Sequence, residues 1–577
     1  MALHLYNTLS RQIEPFKPLR QDVVKIYYCG PTPYNFAHIG NLRAYLFEDL
    51  VVRTMRFLGY KVKTGMNITD IDDKTIRDSQ KSGENLKDFT EKYSKEFLKD
   101  LDALHVSRAD TIKPISLLIE EMQVIIQGLL DKGYAYIADD GSIYYRVAKY
   151  KPYGELAHLD MSGMKSNIRI DNDEYEKDEI ADFALWKAYN PEKDGENFWE
   201  IDLKVNDENY QLKTPKTVIP DCDLESSAGL CDNSFGRNPE TSSGGQKGTL
   251  GGQENESKIL TQNRGNSSEN GAPKGVVQSH TASEEAEIGT GSSLFSVKIK
   301  GRPGWHIECS ACNYHIFGEQ IDIHMGGIDN LFPHHQNEVA QTEAFTGKQF
   351  SKYWMHGGHL LVDNKKMAKS AGNFYTLRDI IEKNADLSPE LVCRGFRLLT
   401  LQNKYRDNFN FTQNRLEAGI KTIQGFDETF KKITRYKGFE TAGHTIARDF
   451  RDMLQGAMQD FVKHLENDFD SNTALTVIFE FQKTINAGMD ANSYSLEEIE
   501  AIKDFFKNID SVLALFDFSL FEAGQEIPEE IRELAEKRAE AKKAKDWNTA
   551  DTIRDTLTQK GWKMIDEAGG KWSIEKI

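Results

Sequence analysis

The N-terminal part of the chain alternates short apolar runs with longer amphipathic stretches. Residues Val23–Tyr28 form a β-branched and aromatic run, residues 42–58 carry apolar positions at helical spacing, and a second strand-like run covers Tyr60–Met66. A strand, a crossover helix and a strand within about 45 residues predict a βαβ unit, and hence a parallel sheet covered by helices. Ligands of such folds bind at the carboxyl ends of the strands, and residues 29–41 occupy that position.

The last third of the chain has an almost wholly helical pattern. A Ser-Pro pair at 388–389 provides a helix cap followed by proline at the first helical position, and residues 426–465 and 496–516 carry helical apolar spacing. Residues 528–560 predict a pair of charged amphipathic helices. The tail at 561–572 is short enough to form a small hairpin.

Residues 221–290 break the alternation of apolar and polar positions. They contain 11 Gly and 10 Ser with a single aromatic residue, Phe235. Such a stretch cannot bury enough apolar surface to offset the entropy of ordering it, so we predict a flexible insertion across 205–297 in which Cys222 and Cys231 have no role. Since long insertions cost little closure entropy, two halves of one folded unit can flank it.

Composition narrows the class of protein. The chain has 577 residues, of which 39% are hydrophobic and 10% aromatic, which suits about four globular domains of roughly 150 residues. Six cysteines are too few for a disulfide framework. No apolar run reaches the roughly 18 residues of a membrane span, and the N-terminus lacks a basic region followed by an apolar one. We therefore expect a cytoplasmic protein with no membrane partner.

The charge balance is acidic, with 72 Lys and Arg against 90 Asp and Glu and a formal net charge of −18. Taken over the whole chain, this argues against a broadly electrostatic nucleic-acid binder. Residues 532–545 depart from the balance, because they hold six Lys or Arg and three Asp or Glu. This segment is either a patch for RNA phosphates or a solvated amphipathic helix.

Two glycine-containing motifs suggest phosphate binding. His38, Gly40 and Asn41 stand where a helix begins, and the unpaired N–H groups of a helix N-terminus attract phosphates. Lys366 and Lys369 belong to a basic, glycine-containing loop of the kind that stabilises charge on a phosphate in a transition state. The alternatives are an ordinary helix cap with a turn and a solvated charged loop.

A third group of residues suggests a metal site. Cys309 and Cys312 offer thiolates, and His334 and Glu338 stand four residues apart on one predicted helix face. Thiolate, imidazole and carboxylate together suit zinc. Spacing alone favours both cysteines with a histidine, while buried cysteines and a helix-capping histidine remain the alternative.

The motifs occur in an order that resembles class I aminoacyl-tRNA synthetases. Individual stretches are similar to the cysteinyl-tRNA synthetase family, namely Cys29–Thr32, Asn67–Lys74, Gly304–Ser310, His324–Asp329 and Pro333–Glu338. The resemblance covers nearly the whole chain except the insertion. It implies an α/β fold with a Rossmann-type parallel-sheet catalytic domain, split by a connective region and the insertion, and followed by an all-α C-terminal region that binds tRNA and its anticodon.

On this basis we expect six segments. They are the first half of the catalytic domain at 1–120, a connective region at 121–204, the insertion at 205–297, the second catalytic half at 298–385, a helical bundle at 386–525 and a small anticodon-binding domain at 526–577.

The resemblance also implies roles for individual residues. The zinc ligands are Cys29, Cys309, His334 and Glu338, so that Cys312 leaves the set. The substrate cysteine lies against Gly30, Thr69, Trp305 and His306. The expected catalytic residues are His38, Asn41, Lys366 and Lys369. The expected ATP-binding residues are His38, Gly40, Asn41, Gly326, Gly327, Asp329 and Lys369. The tRNA contacts are Arg532, Lys537, Arg538, Lys542 and Trp572.

We therefore expect an enzyme that joins L-cysteine to tRNA(Cys), using ATP with Mg²⁺ and one Zn²⁺ per subunit, and acting as a monomer. Two positions depart from the family motifs, because Asn41 replaces a histidine and Ala368 replaces a serine. One alternative is a tRNA-independent ligase that joins cysteine to an amino sugar, which should lack the long helical C-terminal part. The other is a catalytically silent tRNA-binding paralogue, which should have lost metal ligands or loop lysines.

Overall fold

The computed structural model describes residues 2–159, 169–170, 182–211, 294–367, 372–440, 445–522, 528–566 and 572–576. Most of the predicted insertion therefore lies outside the described residues, and so do Ala368 and Lys369 of the basic loop.

Nineteen strands are formed by the described residues. They are β1 (His4–Asn7), β2 (Gln12–Pro15), β3 (Val24–Tyr28), β4 (Val62–Ile68), β5 (Thr111–Pro114), β6 (Ala135–Ala138), β7 (Ile143–Tyr145), β8 (Arg169–Ile170), β9 (Asp182–Ala188), β10 (Trp199–Val205), β11 (Tyr210–Gln211), β12 (Phe295–Pro303), β13 (Ile321–Gly327), β14 (Ser351–Gly357), β15 (Leu360–Val362), β16 (Lys365–Lys366), β17 (Phe409–Phe411), β18 (Trp562–Asp566) and β19 (Trp572–Lys576).

The same residues form sixteen α-helices. They are α1 (Ile39–Phe57), α2 (Asp73–Ser82), α3 (Leu86–Ala103), α4 (Ile119–Asp131), α5 (Pro191–Asp194), α6 (Trp305–Phe317), α7 (Gln336–Thr346), α8 (Leu377–Glu382), α9 (Pro389–Leu401), α10 (Gln413–Arg435), α11 (Arg448–Leu465), α12 (Ser471–Asp490), α13 (Leu496–Leu513), α14 (Ser519–Glu522), α15 (Glu529–Lys543) and α16 (Trp547–Gln559).

The central sheet has five parallel strands in the order β14-β13-β3-β4-β5. Helix α1 connects β3 to β4, so the predicted βαβ unit is confirmed. The order places β3, the first strand of that unit, beside β13 from the second half of the chain, with Ile26 paired to Ile323. The two halves separated by the insertion therefore build one sheet, and their motifs meet at its carboxyl edge.

A second sheet follows the order β10-β12-β9-β7-β6-β11, and β8 adds to β9. Strand β12 begins after the insertion and pairs antiparallel with β10, with Val205 opposite Phe295 and Ile201 opposite Ile299. The bounds predicted for the insertion, 205 and 297, thus fall inside paired strands. The alternating burial of β10 explains why this pairing is stable, since apolar and polar positions face opposite sides of a strand.

Local sequence signals set the ends of the helices as predicted. Thr376 and Asp379 cap the start of α8 reciprocally, and Ser388 accepts the N–H of Leu391 at the start of α9, where proline takes the first helical position. These caps satisfy backbone donors that a helix start leaves unpaired. They fix where the loop after Lys366 ends and where the helical region begins.

The C-terminal part is helical, in line with its pattern. Aromatic rings pack the core of α10 to α13, among them Phe430 and Phe506 at 5.0 Å and Phe426 and Phe516 at 4.9 Å between ring centroids. Helices α15 and α16 and the β18-β19 hairpin share a small core of their own around Ile531. The predicted helix pair and hairpin are therefore confirmed.

A buried ion pair joins α1 to this helical part. Nη2 of Arg397 on α9 donates to Oδ2 of Asp49 on α1 at 2.5 Å, with 1% of the arginine side chain and none of the aspartate side chain exposed. Arg397 also donates to the carbonyls of Leu513, Leu104 and His105. The helix that begins at the phosphate motif is thus fixed to α9 and α13.

No helix in the described part of the chain has the length and apolar character needed to cross a membrane.

Candidate functional site

A cavity of about 570 Å³ opens at the carboxyl ends of β3, β4 and β13. Both halves of the chain contribute to it, because its wall includes the predicted residues Cys29, Gly30, His38, Gly40, Asn41, Thr69, Trp305, Cys309, Gly326, Gly327, Asp329, His334 and Lys366. Of the other predicted residues, His306 and Glu338 are buried behind this wall, and Lys369 lies outside the described residues. The structure therefore brings the separate motifs to one place.

Four donor atoms form a tight group at this wall: three belong to residues that line it, and Glu338 lies behind them. Sγ of Cys29, Sγ of Cys309, a nitrogen of His334 and an oxygen of Glu338 all lie within 4.8 Å of one another. The two sulfurs are 3.5 Å apart, His334 Nε2 is 3.3 Å from the sulfur of Cys309, and it is 3.0 Å from Oε1 of Glu338. Each donor comes from a rigid place: the end of β3, helix α6, and the helical turns at 331–346.

Cys312, which spacing alone had included, is outside this group. It lies one turn further along α6 with no exposed surface. Burial raises the pKa of its thiol, while a hydrogen bond with Tyr27 acts in the opposite sense. The ligand set inferred from spacing alone is therefore wrong, because it includes Cys312. Spacing within one helix does not reveal that Cys29, at the end of β3, lies beside Cys309.

The group is electrostatically coupled. Burial opposes ionisation of Cys309, but hydrogen bonds from Cys29 and His334 lower the pKa of its thiol to about 7. Burial also opposes the charged form of His334, whose pKa Cys309 and Glu338 raise to about 10. Despite burial, His324 and His334 lower the pKa of Glu338 to about 2. Burial and Cys309 raise the pKa of the Cys29 thiol. The imidazole of His334 thus favours the ionised forms of Cys309 and Glu338, and they in turn favour its protonated form.

Three further histidines support the group from behind. His324 Nε2 lies 2.9 Å from Oε2 of Glu338, and His335 Nδ1 lies 2.8 Å from His356 Nε2. The donor atoms of His324 and His335 also lie within 4.8 Å of those of Cys29 and Glu338, so a second set of four donors exists. Neither histidine lines the cavity. The set with Cys309 and His334 is consequently the one that faces a ligand.

Asn67 organises the strand ends at this site, although the motifs gave it no role. Its Oδ1 accepts from the N–H of Gly30 at 2.8 Å and from the hydroxyl of Tyr27 at 3.1 Å, and it lies 3.6 Å from Sγ of Cys309. Its Nδ2 donates to the hydroxyl of Thr69 at 3.0 Å. Because one amide touches both β3 and α6, it fixes the spacing between the two cysteines.

Gly30 cannot carry a side chain here. A Cβ atom at this position would lie 1.6 Å from the carbonyl oxygen of Asn67. The glycine therefore lets β3 and the end of β4 approach closely beside Cys29.

Trp305 and His306 surround the imidazole of His334. The Trp305 ring stacks on the His334 ring at 4.1 Å between centroids, and His306 Nδ1 lies 3.1 Å from His334 Nδ1. Burial, together with the nearby His334, lowers the pKa of His306 well below its usual value. His306 is thus held neutral and sets the orientation of the His334 ring.

The phosphate-type motifs meet at the other end of the cavity. His38 caps α1 and its Nδ1 accepts the N–H of Asn41 at 3.1 Å, so the cap predicted as the plain alternative is present. The N–H of Ile39 donates to the carbonyl of Tyr375 at 2.9 Å, which ties the start of α1 to the end of the basic loop. A Cβ on Gly40 would lie 2.6 Å from Met367, so the two motifs are in close contact.

The residues predicted to contact tRNA differ in exposure. Arg532 and Lys537 are exposed and Lys542 is partly exposed, but Arg538 is buried with 8% exposed surface. A buried guanidinium cannot reach a partner without rearrangement, so the structure speaks against the Arg538 prediction. Trp572 is partly buried against the small C-terminal core, whereas Trp547 is 58% exposed.

Comparison with known proteins defines the class. Residues 15–203 and 277–421 match the family of class I (C) tRNA synthetase catalytic domains, and residues 460–517 match the DALR domain. A similar fold is found in Mycobacterium tuberculosis methionyl-tRNA synthetase in complex with methionyl-adenylate, at 10% identity and a TM-score of 0.50 over 88% of this chain and 95% of that one. The catalytic domain is that of a class I aminoacyl-tRNA synthetase.

Full-length relatives define the family within that class. The chain is 35% identical over 580 residues to the cysteine–tRNA ligase of Chlamydia trachomatis serovar A, with 99% of each chain covered. It is 34% identical over 572 residues to that of Protochlamydia amoebophila, covering 99% of this chain and 97% of the relative. The chain belongs to the cysteine–tRNA ligase family, as the motifs indicated, and is an enzyme of the aminoacyl-tRNA synthetase class.

Proposed function

We propose that the enzyme activates L-cysteine with ATP and transfers the cysteinyl group to the 3′ end of tRNA(Cys). The observation that carries the proposal is the group of two thiols and one imidazole on the cavity wall, with one carboxylate directly behind them, in the same cavity as the two phosphate-type motifs. A site that can bind sulfur, next to a site that can bind a nucleotide, suits an enzyme that adenylates an amino acid with a thiol side chain.

The four donors fit a zinc ion. Thiolate, imidazole and carboxylate are ligands that zinc prefers. Four of the separations between these donors lie between 3.0 and 3.6 Å, close to the about 3.4–3.8 Å expected between ligands of a tetrahedral zinc ion, and all lie within 4.8 Å. One zinc ion per subunit, held by Cys29, Cys309, His334 and Glu338, would lower the pKa of the substrate thiol and favour its sulfur over the hydroxyl of serine.

The residues around this group would shape the amino-acid pocket. Gly30 lets the end of β4 approach Cys29 closely, Trp305 covers the imidazole of His334, and His306 keeps that ring in one orientation. Thr69 is fixed by Asn67 and faces the cavity. Since serine and cysteine have nearly the same shape, these contacts position the substrate, and selection between the two rests on the bond to sulfur.

The nucleotide would lie at the opposite end of the cavity. His38, Gly40 and Asn41 present a helix start to the phosphates, and Gly326, Gly327 and Asp329 line the wall where the ribose hydroxyls would be held. Lys366 is 81% exposed and free to move toward the phosphates, with Lys369 and Mg²⁺ completing the charge balance.

The reaction needs no nucleophile from the protein. The carboxylate of cysteine attacks the α-phosphorus of ATP, the bond to the bridging oxygen breaks, and pyrophosphate leaves with that electron pair. A terminal ribose hydroxyl of the tRNA then attacks the acyl carbon, loses its proton, and releases AMP. His38, Asn41 and the two lysines stabilise the phosphates while charge develops on them. Arg532, Lys537, Lys542 and Trp572 would hold the distant end of the tRNA.

The test is cysteine-dependent exchange of pyrophosphate into ATP, compared with serine, followed by charging of tRNA(Cys). Exchange with cysteine, loss of exchange after zinc chelation and charging of the tRNA are the expected results. Absence of exchange would leave a catalytically silent tRNA-binding protein, and exchange without charging would favour a ligase acting on an amino sugar.

The ligand set has a matched test in the two cysteines of α6. Both are buried, but only Sγ of Cys309 belongs to the donor group. Cys309→Ser should reduce the zinc content measured by metal analysis, whereas Cys312→Ser should leave it unchanged. The reverse result would mean that the ligand set is assigned incorrectly.

A further inference from the structure

One histidine outside the recognised motifs stands beside the carboxylate assigned to the ribose. Nδ1 of His359 lies 3.2 Å from Oδ1 of Asp329, and 37% of the histidine side chain is exposed. Nζ of Lys366 lies 4.0 Å from the same oxygen. All three residues line the cavity, so Asp329 meets two basic groups at the nucleotide end.

The two basic groups differ in how firmly they are held. The N–H of His359 donates to Oδ1 of Asn408 at 3.0 Å, and its carbonyl accepts from the N–H of Phe409 at 2.9 Å. Lys366 stands at the end of a short hairpin strand with 81% of its side chain exposed. The backbone that carries the imidazole is therefore fixed close to Asp329, whereas the long side chain of the lysine can leave Asp329.

The chemistry of a carboxylate explains why this matters. Asp329 can accept hydrogen bonds from ribose hydroxyls only if its plane faces them, and an exposed aspartate rotates freely. The contact of Nδ1 of His359 with Oδ1, at 3.2 Å, restricts that rotation. When Lys366 turns to the phosphates, His359 is the contact that remains.

We propose that His359 is a positioning residue for the nucleotide, which acts by holding the carboxylate of Asp329 toward the ribose hydroxyls. The inference rests on the proposed function, because it requires ATP to occupy this end of the cavity. It predicts an effect on ATP binding alone, with no effect on cysteine or on zinc.

The test compares His359→Ala and His359→Asn in the full-length enzyme. His359→Ala should raise the KM for ATP about three- to fivefold, the range of a partly exposed ion pair, with kcat, the KM for cysteine and the zinc content unchanged. His359→Asn should restore most of the loss, since its amide nitrogen can take the place of Nδ1. In an Asp329→Ala background, His359→Ala should have no further effect, because the two residues act as one unit.

His315 provides a matched control. Its Nδ1 lies 2.6 Å from Glu121 and 36% of its side chain is exposed, but it does not line the cavity. His315→Ala should leave the KM for ATP unchanged.

Two outcomes would overturn the inference. One is an unchanged KM for ATP in His359→Ala, and the other is a loss of kcat and of both KM values together, which would indicate a distorted loop. Calorimetric titration with a non-hydrolysable ATP analogue keeps this result separate from the proposed function. If the wild type binds the analogue but gives no exchange, the proposed function fails, and the weaker binding of His359→Ala still decides the role of His359.

Discussion

Replacing Asp49 by asparagine should destabilise the protein strongly, because it leaves a buried arginine without its counter-charge. Arg397 and Asp49 expose 1% and 0% of their side chains. Burial opposes ionisation, but Arg397 and Arg53 lower the pKa of Asp49 below its usual value, so the pair is charged in the folded protein. Asparagine keeps the shape of the side chain and removes only the charge.

The burial of the pair sets the expected magnitude. Removing one partner of a buried ion pair costs about 3–5 kcal/mol, because the remaining charge stays in a medium of low polarity. The three carbonyls that accept from Arg397 compensate only part of that charge. Arg20 and Asp22 form a pair of similar length, 2.9 Å, but with 66% and 63% of their side chains exposed. Asp22→Asn should leave the free energy of unfolding nearly unchanged, because solvent screens an exposed pair.

Urea unfolding followed by circular dichroism measures both variants under identical conditions. Arg397→Met in combination with Asp49→Asn should be less destabilised than the sum of the single changes, because the double variant buries no unpaired charge. The reasoning is refuted if Asp49→Asn costs no more than Asp22→Asn, or if the single effects simply add.

Three further changes test other parts of the structure. Gly30→Ala should abolish cysteine-dependent exchange, since its Cβ would lie 1.6 Å from the carbonyl oxygen of Asn67; retained exchange would show that the strand ends can separate. Burial raises the pKa of Asp510 to about 6, above the about 3.9 of an aspartate in an unfolded chain. The protonated carboxyl therefore contributes stability that is fully present below about pH 4 and is lost as the pH rises through 6. Asp510→Asn should therefore be more stable than the wild type at pH 7.5 by about 3 kcal/mol and nearly equal to it at pH 4, and a difference in urea titrations that is independent of pH would contradict this. Ending the chain after residue 527 removes a unit with its own small core, so tRNA charging should fall while exchange remains; parallel loss of both would mean that the unit supports the catalytic part.

Local patterns were sufficient for much of the fold. The βαβ unit, the cap at Thr376, the helical C-terminal part and the final hairpin follow from periodicity and capping chemistry, which act within a few residues. Local patterns did not reveal that Val205 and Phe295, at the two ends of the insertion, belong to strands. The strand that begins at Phe295 is stabilised by its pairing with β10 rather than by its own composition.

The site required information that local spacing does not contain. Cys29 and Cys309 are 280 residues apart in sequence, and only the order of strands in the sheet brings them together. The supporting histidines were also missed, although seven of the fourteen histidines of the chain fall between His306 and His359, a density that marks this segment. The burial of Arg538 depends on how α15 packs against α16 and the hairpin, which charge counting does not show.

The pairing of Val205 with Phe295 has a consequence for engineering. Because these residues lie opposite each other in neighbouring antiparallel strands, they are about 5 Å apart, although the chain adds β11 to β6 of the same sheet between them. The pairing with β10 sets the register of β12, so the residues between β11 and β12 can change in length and content without changing that register. A folded reporter domain can therefore be inserted between β11 and β12, so that the protein carries a label without an addition at either terminus.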